Sequence, residues 1–409
     1  MDRRRILLLI FDGLGDRPVK ELGNKTPLQA TTTPNLDWFA ANGECGLLDP
    51  IAPGVTPGSD TSHLALFGYD PYKVYTGRGP FEAAGVGIDV RAGDVAFRCN
   101  FATVDADLRL LDRRAGRIKE GTSELAAALD GLTIDGVQVL FRAGTEHRAA
   151  LVLRGDGLSP AVTDTDPHEE GARILDAHPR SPEAAKTARV LNEFTKIAFK
   201  NLDGHDMNRR RVAENLPAAN MVVVRGAGVV PSLTPMKERY GMRCAAIAGV
   251  SLIRGMCRSV GMDVLDVPGA TGGLDTDMVA KAAAAVNALR DYDFVCVNVK
   301  APDLCGHDGK ILEKVKVIER LDEMMGHIRA TILPDTVVAI TADHSTPVSL
   351  KAHSGDPVPL AVFADGARFD SVTAFDEVAV AGGALGRLRG TDLMPILLNL
   401  ANRMEKFGA

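Results

Sequence analysis

The chain has 409 residues, 45% hydrophobic and 24% charged, with a formal net charge of −6. These are the proportions of a globular protein, not of a disordered, collagenous or disulfide-stapled one. Like charges gather only at Arg3-Arg4-Arg5 and Arg209-Arg210-Arg211, so nucleic-acid binding is not expected. The length suggests two domains, or one α/β core carrying an insertion.

The first predicted element is the apolar run Ile6 to Phe11, which ends in Asp12-Gly13. It reads as a strand buried on both faces with a polar residue at its C-terminal edge. The run is far short of the ~18 apolar residues of a membrane span. It is also shorter than the apolar core of a secretory leader, so no membrane partner is expected. Thr33-Pro34 then opens a helix with a proline in its first turn, running to Asn42-Gly43. Val55 to Gly68 is a Gly/Pro-rich turn leading into a short helix that Ser59 begins.

From about Ile88 to Val224 the pattern changes. A strand at Ala149–Leu153, a helix from Ser181-Pro182-Glu183 to about Lys200 and a strand at Met221–Val224 form a second set of elements. We therefore expect a doubly wound, mostly parallel α/β core in residues 1–85 and 227–409, with a second α/β domain inserted as residues 86–226. Further on, Phe294–Val299 leads into Lys300-Ala301-Pro302-Asp303, and Val337–Ile340 leads through Thr341-Ala342 into Asp343-His344. Between these strands Ile311, Leu312, Val315, Ile318, Leu321, Met325 and Ile328 make the apolar stripe of an amphipathic helix.

Loops at the carboxyl ends of parallel strands converge on one crevice, so Asp12, Asp303 and Asp343-His344 are expected to meet. His307 and His353 lie in nearby loops able to fold back over them. Three carboxylates and three imidazoles without thiolates suit two divalent cations of the Mn, Zn or Mg type. Such a pair clamps the attacking and leaving oxygens of a phosphoryl transfer. The nucleophile expected beside them is Ser59, at the positive end of a helix dipole. Thr61 and Ser62 are rivals within the first turn, where side chains lie along the helix surface. Cys45, Cys99, Cys244, Cys257, Cys296 and Cys305 include no C-x-x-C pair, which argues for a reducing cytoplasm; Cys305 is read as a bystander.

At these residues the sequence resembles the alkaline phosphatase superfamily, and most closely its archaeal type of cofactor-independent phosphoglycerate mutase. The carriers run nearly end to end: Phe11-Asp12-Gly13-Leu14-Gly15-Asp16-Arg17-Pro18, Thr26-Pro27-Leu28-Gln29-Ala30, Pro57-Gly58-Ser59-Asp60-Thr61, Gly77-Arg78-Gly79-Pro80-Phe81-Glu82-Ala83, Arg225-Gly226-Ala227-Gly228, Pro268-Gly269-Ala270-Thr271-Gly272, Gly306-His307-Asp308-Gly309 and Thr341-Ala342-Asp343-His344-Ser345-Thr346-Pro347. The resemblance implies one metal held by Asp303, His307 and His353 and a second held by Asp12, Asp343, His344 and the nucleophile Ser59. Manganese is the first choice of metal, with zinc, magnesium and cobalt as alternatives. It implies interconversion of 3-phosphoglycerate and 2-phosphoglycerate through a phosphoserine, without 2,3-bisphosphoglycerate.

The inserted domain would then act as a lid and clamp the substrate carboxylate. Arg148, Arg211 and Arg225 are the candidate clamp. His205 and Asn208 to Arg211 resemble a His-x-x-Asn-x-x-Arg stretch of these mutases, although Asp206-Met207 stands where Pro-Val is expected. Asp166 is the candidate acid/base, with Asp164 and His168 as alternatives. Lys300 is placed either to neutralise a phosphoryl oxygen or to form a structural ion pair. The competing function is a metal-dependent phosphohydrolase, or a phosphotransferase of the same superfamily acting on another small substrate. The sequence leaves the oligomeric state open.

Overall fold

The computed structural model describes residues 3–406 and Gly408. The chain divides into two compact units, residues 1–74 with 233–409, and residues 75–232. The first unit is built on an eight-stranded sheet. Its order is Asp263–Val264, Cys244–Ile247, Phe294–Val299, Arg5–Phe11, Thr336–Thr341, Val358–Phe363, Glu44–Asp49, Gly386–Arg389. Every pairing is parallel except those of Val358–Phe363, which runs against both of its neighbours. This is the mostly parallel α/β sheet that alternating strands and helices predict.

The central strand Arg5–Phe11 is apolar after Arg5 because both of its faces are covered; Ile6 to Phe11 are all fully buried. Its register pairs Phe11 with Val299 and Ile10 with Thr341, so three strands end at one level. Asp12, Lys300 and Asp343 follow within two residues of those ends. The helix Pro34–Ala41 has Pro34 in its first turn and Asn42 at its C-cap.

The helix Ile311–Thr331 buries Lys314, Val317, Ile318, Leu321, Asp322, Met324, Met325 and Ile328. Leu312 does not belong to that stripe, being 69% exposed. Residues two apart on a helix point about 200° apart, so Lys314 facing inward turns Leu312 to solvent.

The second unit is also α/β, but its sheet is antiparallel. The strand Val95–Val104 lies at its centre, between Arg148–Arg154 and Met221–Gly228. Side chains alternate across it. Val95, Phe97, Cys99 and Phe101 join the core formed with the helix Ala185–Asp203, where Phe141 sits 5.9 Å from Phe101 and 5.7 Å from Phe194 by ring centroids. Ala96, on the opposite face, packs with Ala83 of the helix Gly79–Gly85. Arg98 and Asn100 share that opposite face by the same alternation. Among the described residues, no helix is long and apolar enough to cross a membrane.

Candidate active site

Asp12, Asp303, Asp343 and His344 come together in the first unit, all essentially fully buried. The turn that places Asp12 requires a glycine next to it. Gly13 has φ +64°, and a Cβ there would lie 2.6 Å from the Asp303 Cβ and 2.7 Å from the Thr346 hydroxyl. The Gly13 amide instead donates to Asp343 Oδ1 at 3.1 Å.

Two groups of side chains stand close enough to hold a metal ion: Asp303, His344 and His353, and Asp12, Asp343 and His344. His307, 41% exposed, adjoins the first, with Nε2 3.4 Å from Asp303 Oδ1. Each histidine is oriented through Nδ1. His353 donates to the Pro57 carbonyl at 2.9 Å and His307 to the Lys351 carbonyl at 3.0 Å. The His344 Nδ1 meets the Thr346 hydroxyl at 3.0 Å, and that hydroxyl donates to Asp303 Oδ1 at 2.7 Å. In every case Nε2 is left to face the acidic cluster, the arrangement that metal-binding histidines require.

Lys300 Nζ lies 2.8 Å from Asp12 Oδ1 and 2.7 Å from Asp303 Oδ2. Its burial opposes its charge, but Asp12, Asp303 and Asp343 outweigh this and raise its pKa. Asp12 is pushed up to about 7 by burial and then by Asp343, against the pull of Lys300. Asp303 and Asp343 are held below the usual carboxylate range: burial resists, but Lys300 with the neighbouring histidines wins at Asp303, and His344, His63 and Lys300 win at Asp343. One ammonium thus serves three buried carboxylates, and Asp343 Oδ2 has no hydrogen-bond partner. Buried carboxylates left short of positive charge, with hard oxygen and imidazole donors and no thiolate, fit divalent cations.

Ser59 is the first residue of the helix Ser59–Leu66 and is buried. Its Oγ lies 3.1 Å from His344 Nε2. The rival hydroxyls of Thr61 and Ser62 both donate back to the Gly58 carbonyl, at 3.0 and 2.8 Å, and so are already occupied. His63, which sequence reasoning missed, supports the turn: its Nδ1 donates to the Ser59 carbonyl at 2.7 Å while Nε2 meets Asn298 Nδ2 at 3.4 Å. Burial lowers the His63 pKa, which keeps the ring neutral for that bridging role. Asn298 Nδ2 also donates to Asp12 Oδ2 at 3.2 Å.

One face of the second unit's sheet gathers the opposite charge. Arg148 lies across from Asn100, and Arg225 across from Arg98, on the central strand. The Nε atoms of Arg98 and Arg148, Asn100 Oδ1 and His147 Nδ1 are buried without a hydrogen-bond partner. Glu82 takes Arg78 Nε at 3.1 Å and Arg98 Nε at 3.6 Å. Burial resists its charge, but Arg78, Arg98 and Arg148 hold it ionised. Asp166 is gripped by Arg113 through Nε at 3.1 Å and Nη2 at 2.6 Å, with Arg225 Nε at 4.0 Å. Burial works against its charge, yet the Arg113 pair and the His168 amide keep it below the usual carboxylate range. Asp164 and His168 flank it, the latter meeting Arg113 Nη2 at 3.1 Å.

Arg211 and Asn208 are placed differently. Arg211 donates to the Pro217 and Ala115 carbonyls at 2.9 and 3.0 Å, and Asn208 bonds the backbone of Leu202 and Ala219. His205 caps the helix Asp206–Ala213, accepting from the Met207 amide at 3.2 Å. Arg78, Arg98 and Arg113 were not picked out from the sequence. The available signal was the polar pair Arg98 and Asn100, two residues apart in an otherwise apolar strand.

Comparison with known proteins agrees with this geometry. A family model described as 2,3-bisphosphoglycerate-independent phosphoglycerate mutase matches residues 40–208. The chain is 50% identical over 409 residues to 2,3-bisphosphoglycerate-independent phosphoglycerate mutase 1 of Methanothermobacter thermautotrophicus, covering 98% of this chain and 99% of that one. It is likewise 50% identical over 417 residues to the 2,3-bisphosphoglycerate-independent phosphoglycerate mutase of Ignicoccus hospitalis, with full coverage of both. Among solved structures it is similar to a Pyrococcus horikoshii protein, at 41% identity with a TM-score of 0.87 over the whole of both chains. It is also similar to the cofactor-independent phosphoglycerate mutase of Thermoplasma acidophilum, at 40% identity with a TM-score of 0.70, covering 97% of this chain and all of that one. The mixed α/β architecture, the clustered carboxylate and imidazole side chains and the full-length identity lead to one conclusion: the chain belongs to the 2,3-bisphosphoglycerate-independent phosphoglycerate mutase family.

Proposed function

We propose that the protein interconverts 3-phosphoglycerate and 2-phosphoglycerate through a phosphoserine at Ser59, using two divalent cations of which manganese is the first candidate. The observation that carries this reading is Ser59 Oγ at a helix N-terminus, 3.1 Å from His344 Nε2 and beside buried carboxylates that lack sufficient positive charge. Asp12, Asp343, His344 and Ser59 would hold one ion, and Asp303, His307 and His353 the other. Bound there, divalent cations neutralise phosphoryl oxygens and favour an ionised serine.

The residues of the chain supply the rest. In the first half-reaction the Ser59 hydroxyl gives up its proton and its oxygen bonds to phosphorus, the bond from phosphorus to the substrate oxygen breaks, and that oxygen takes up the proton. In the second, the other glycerate hydroxyl gives up its proton and bonds to phosphorus, the bond from phosphorus to Ser59 breaks, and the Ser59 oxygen regains a proton. Asp166 is the group assigned to proton transfer at the glycerate hydroxyls; Arg113 holds its carboxyl ionised, the form that accepts a proton. Arg148 and Arg225, joined by Arg78, Arg98 and Arg113, would bind the substrate carboxylate, since guanidinium groups gathered on one face suit an anion and the Nε atoms of Arg98 and Arg148 have no hydrogen-bond partner. Lys300 bridges the carboxylates of Asp12 and Asp303 and holds Asp303 ionised. The backbone contacts of Arg211 and Asn208 support a bracing role instead. The six cysteines are free and buried, which supports a cytoplasmic location.

Phosphorus NMR of the manganese-loaded protein with 3-phosphoglycerate, in the absence of 2,3-bisphosphoglycerate, tests the proposal. Conversion to 2-phosphoglycerate that is lost after EDTA treatment and in Ser59→Ala is the expected result. Release of inorganic phosphate alone would show a phosphohydrolase, and no turnover with any of the four metals would point to another acceptor.

A further inference from the structure

Lys314 projects from the helix Ile311–Thr331 into the interior and is fully buried. A buried ammonium is costly unless its donors are all satisfied. Here three hydrogens meet four acceptors: Asp16 Oδ2 at 2.8 Å, the Gly13 and Thr346 carbonyls at 3.0 Å each, and the Gly15 carbonyl at 3.4 Å. Asp16, equally buried, accepts in addition from the Arg17 and Val348 amides.

These acceptors belong to the segments that carry the acidic cluster. Gly13 adjoins Asp12, and its amide donates to Asp343. Thr346 lies two residues after His344, and its hydroxyl links His344 Nδ1 to Asp303 Oδ1. The Thr346 amide donates to the Gly15 carbonyl at 3.0 Å, so the two loops are also joined directly. Lys314 therefore stands where the loop after Asp12 and the loop after His344 meet.

We propose that Lys314 is a positioning residue for metal binding: its ammonium fixes the loops Asp12–Asp16 and His344–Val348 against each other, and so sets the placement of Asp12, Asp303, Asp343 and His344. This rests on reading the cluster as a divalent-metal site. A tetrahedral ammonium serves carbonyls converging from several directions, whereas a planar guanidinium is larger and aims its donors in one plane. Packing alone would be met by a methionine, since buried ion pairs are often replaceable by apolar side chains at little loss of stability.

The test compares the wild type with Lys314→Met, Lys314→Arg and the charge-balanced double variant Lys314→Met/Asp16→Asn. Each metal-free protein is titrated with Mn2+ by calorimetry, its thermal unfolding is recorded, and turnover of 3-phosphoglycerate is followed against Mn2+ concentration. The expected result is a double variant that unfolds cooperatively but binds Mn2+ about 10–100-fold more weakly, the usual effect of losing an outer-shell partner. Its turnover is expected to recover as Mn2+ is raised, and Lys314→Arg is not expected to restore affinity. Variants that fold and bind Mn2+ like the wild type would overturn the proposal. So would failure of every variant to fold, which would make Lys314 a folding determinant only. A wild type that binds no Mn2+ would remove the metal-site reading itself, and the role of Lys314 with it.

Discussion

The two units of the chain solve opposite electrostatic problems by different constructions. In the first, carboxylates gather at the ends of parallel strands, and burial with mutual repulsion pushes Asp12 up to about 7. In the second, guanidinium groups gather on one face of an antiparallel sheet, and burial with Arg148 and the other arginines pushes His147 down to about 3. Each cluster disfavours more of its own sign, so the first is suited to cations and the second to anions. Strand ends concentrate one loop per strand, whereas a sheet face concentrates alternate residues of several strands. The first pattern shows in a sequence as a motif, and the second scarcely at all.

The sharpest way to break this contrast is to disable the acidic unit. Ser59→Ala is expected to lower turnover by about four orders of magnitude or more and to abolish a trapped phosphoenzyme; a labelled phosphoenzyme surviving in that variant would place the nucleophile elsewhere. Removing a carboxylate comes next. Asp303→Ala is expected to reduce bound metal, read by elemental analysis, and to cut activity by at least about 100-fold, restored only in part by excess Mn2+.

The arginine face of the second unit is expected to respond in affinity instead. Arg148→Met should raise KM for 3-phosphoglycerate by about 10–100-fold while kcat moves less, the cost of one hydrogen bond between charged groups. Arg211→Met should do the reverse. KM should stay near the wild-type value while stability falls by about 1–3 kcal/mol in urea unfolding, because two carbonyls lose their donors. A large rise in KM for Arg211→Met would instead return that residue to the clamp.

The last expected effect is a slope of stability with pH. The folded pKa of His147, about 3, lies below its usual value of 6.5 because burial and then Arg148 disfavour the imidazolium. The folded state therefore binds that proton less tightly than the unfolded chain. Its contribution is present in full above about 6.5 and is lost as pH falls toward 3. His147→Gln should flatten the fall of stability across that window, measured by urea unfolding at a series of pH values.

Much of the acidic site was legible in the sequence. Ile6 to Phe11, Phe294 to Val299 and Val337 to Ile340 are apolar enough to announce buried parallel strands, and Asp12, Asp303 and Asp343-His344 stand where such strands end. Ser59 was separable from Thr61 and Ser62 by its place at a helix start, and the structure adds that both rivals are bonded to Gly58. The arginine face was less legible. Arg148 and Arg225 were singled out in the sequence and lie across from Asn100 and Arg98, whereas Arg78, Arg98 and Arg113 were not singled out, and the polar atoms of Arg211 and Asn208, expected to bind substrate, serve the backbone.

By itself, then, the sequence determined the strand and helix periods, the aspartates and histidines waiting at strand ends, and the serine at a helix N-terminus, because each depends on residues near one another in the chain. Only the tertiary structure decided which polar groups face one another across strands, that Lys314 rather than Leu312 turns inward, and that one ammonium binds two loops about 330 residues apart. Those choices depend on partners distant in the chain, and no local pattern of side chains specifies a buried charge until its acceptors have been brought to it.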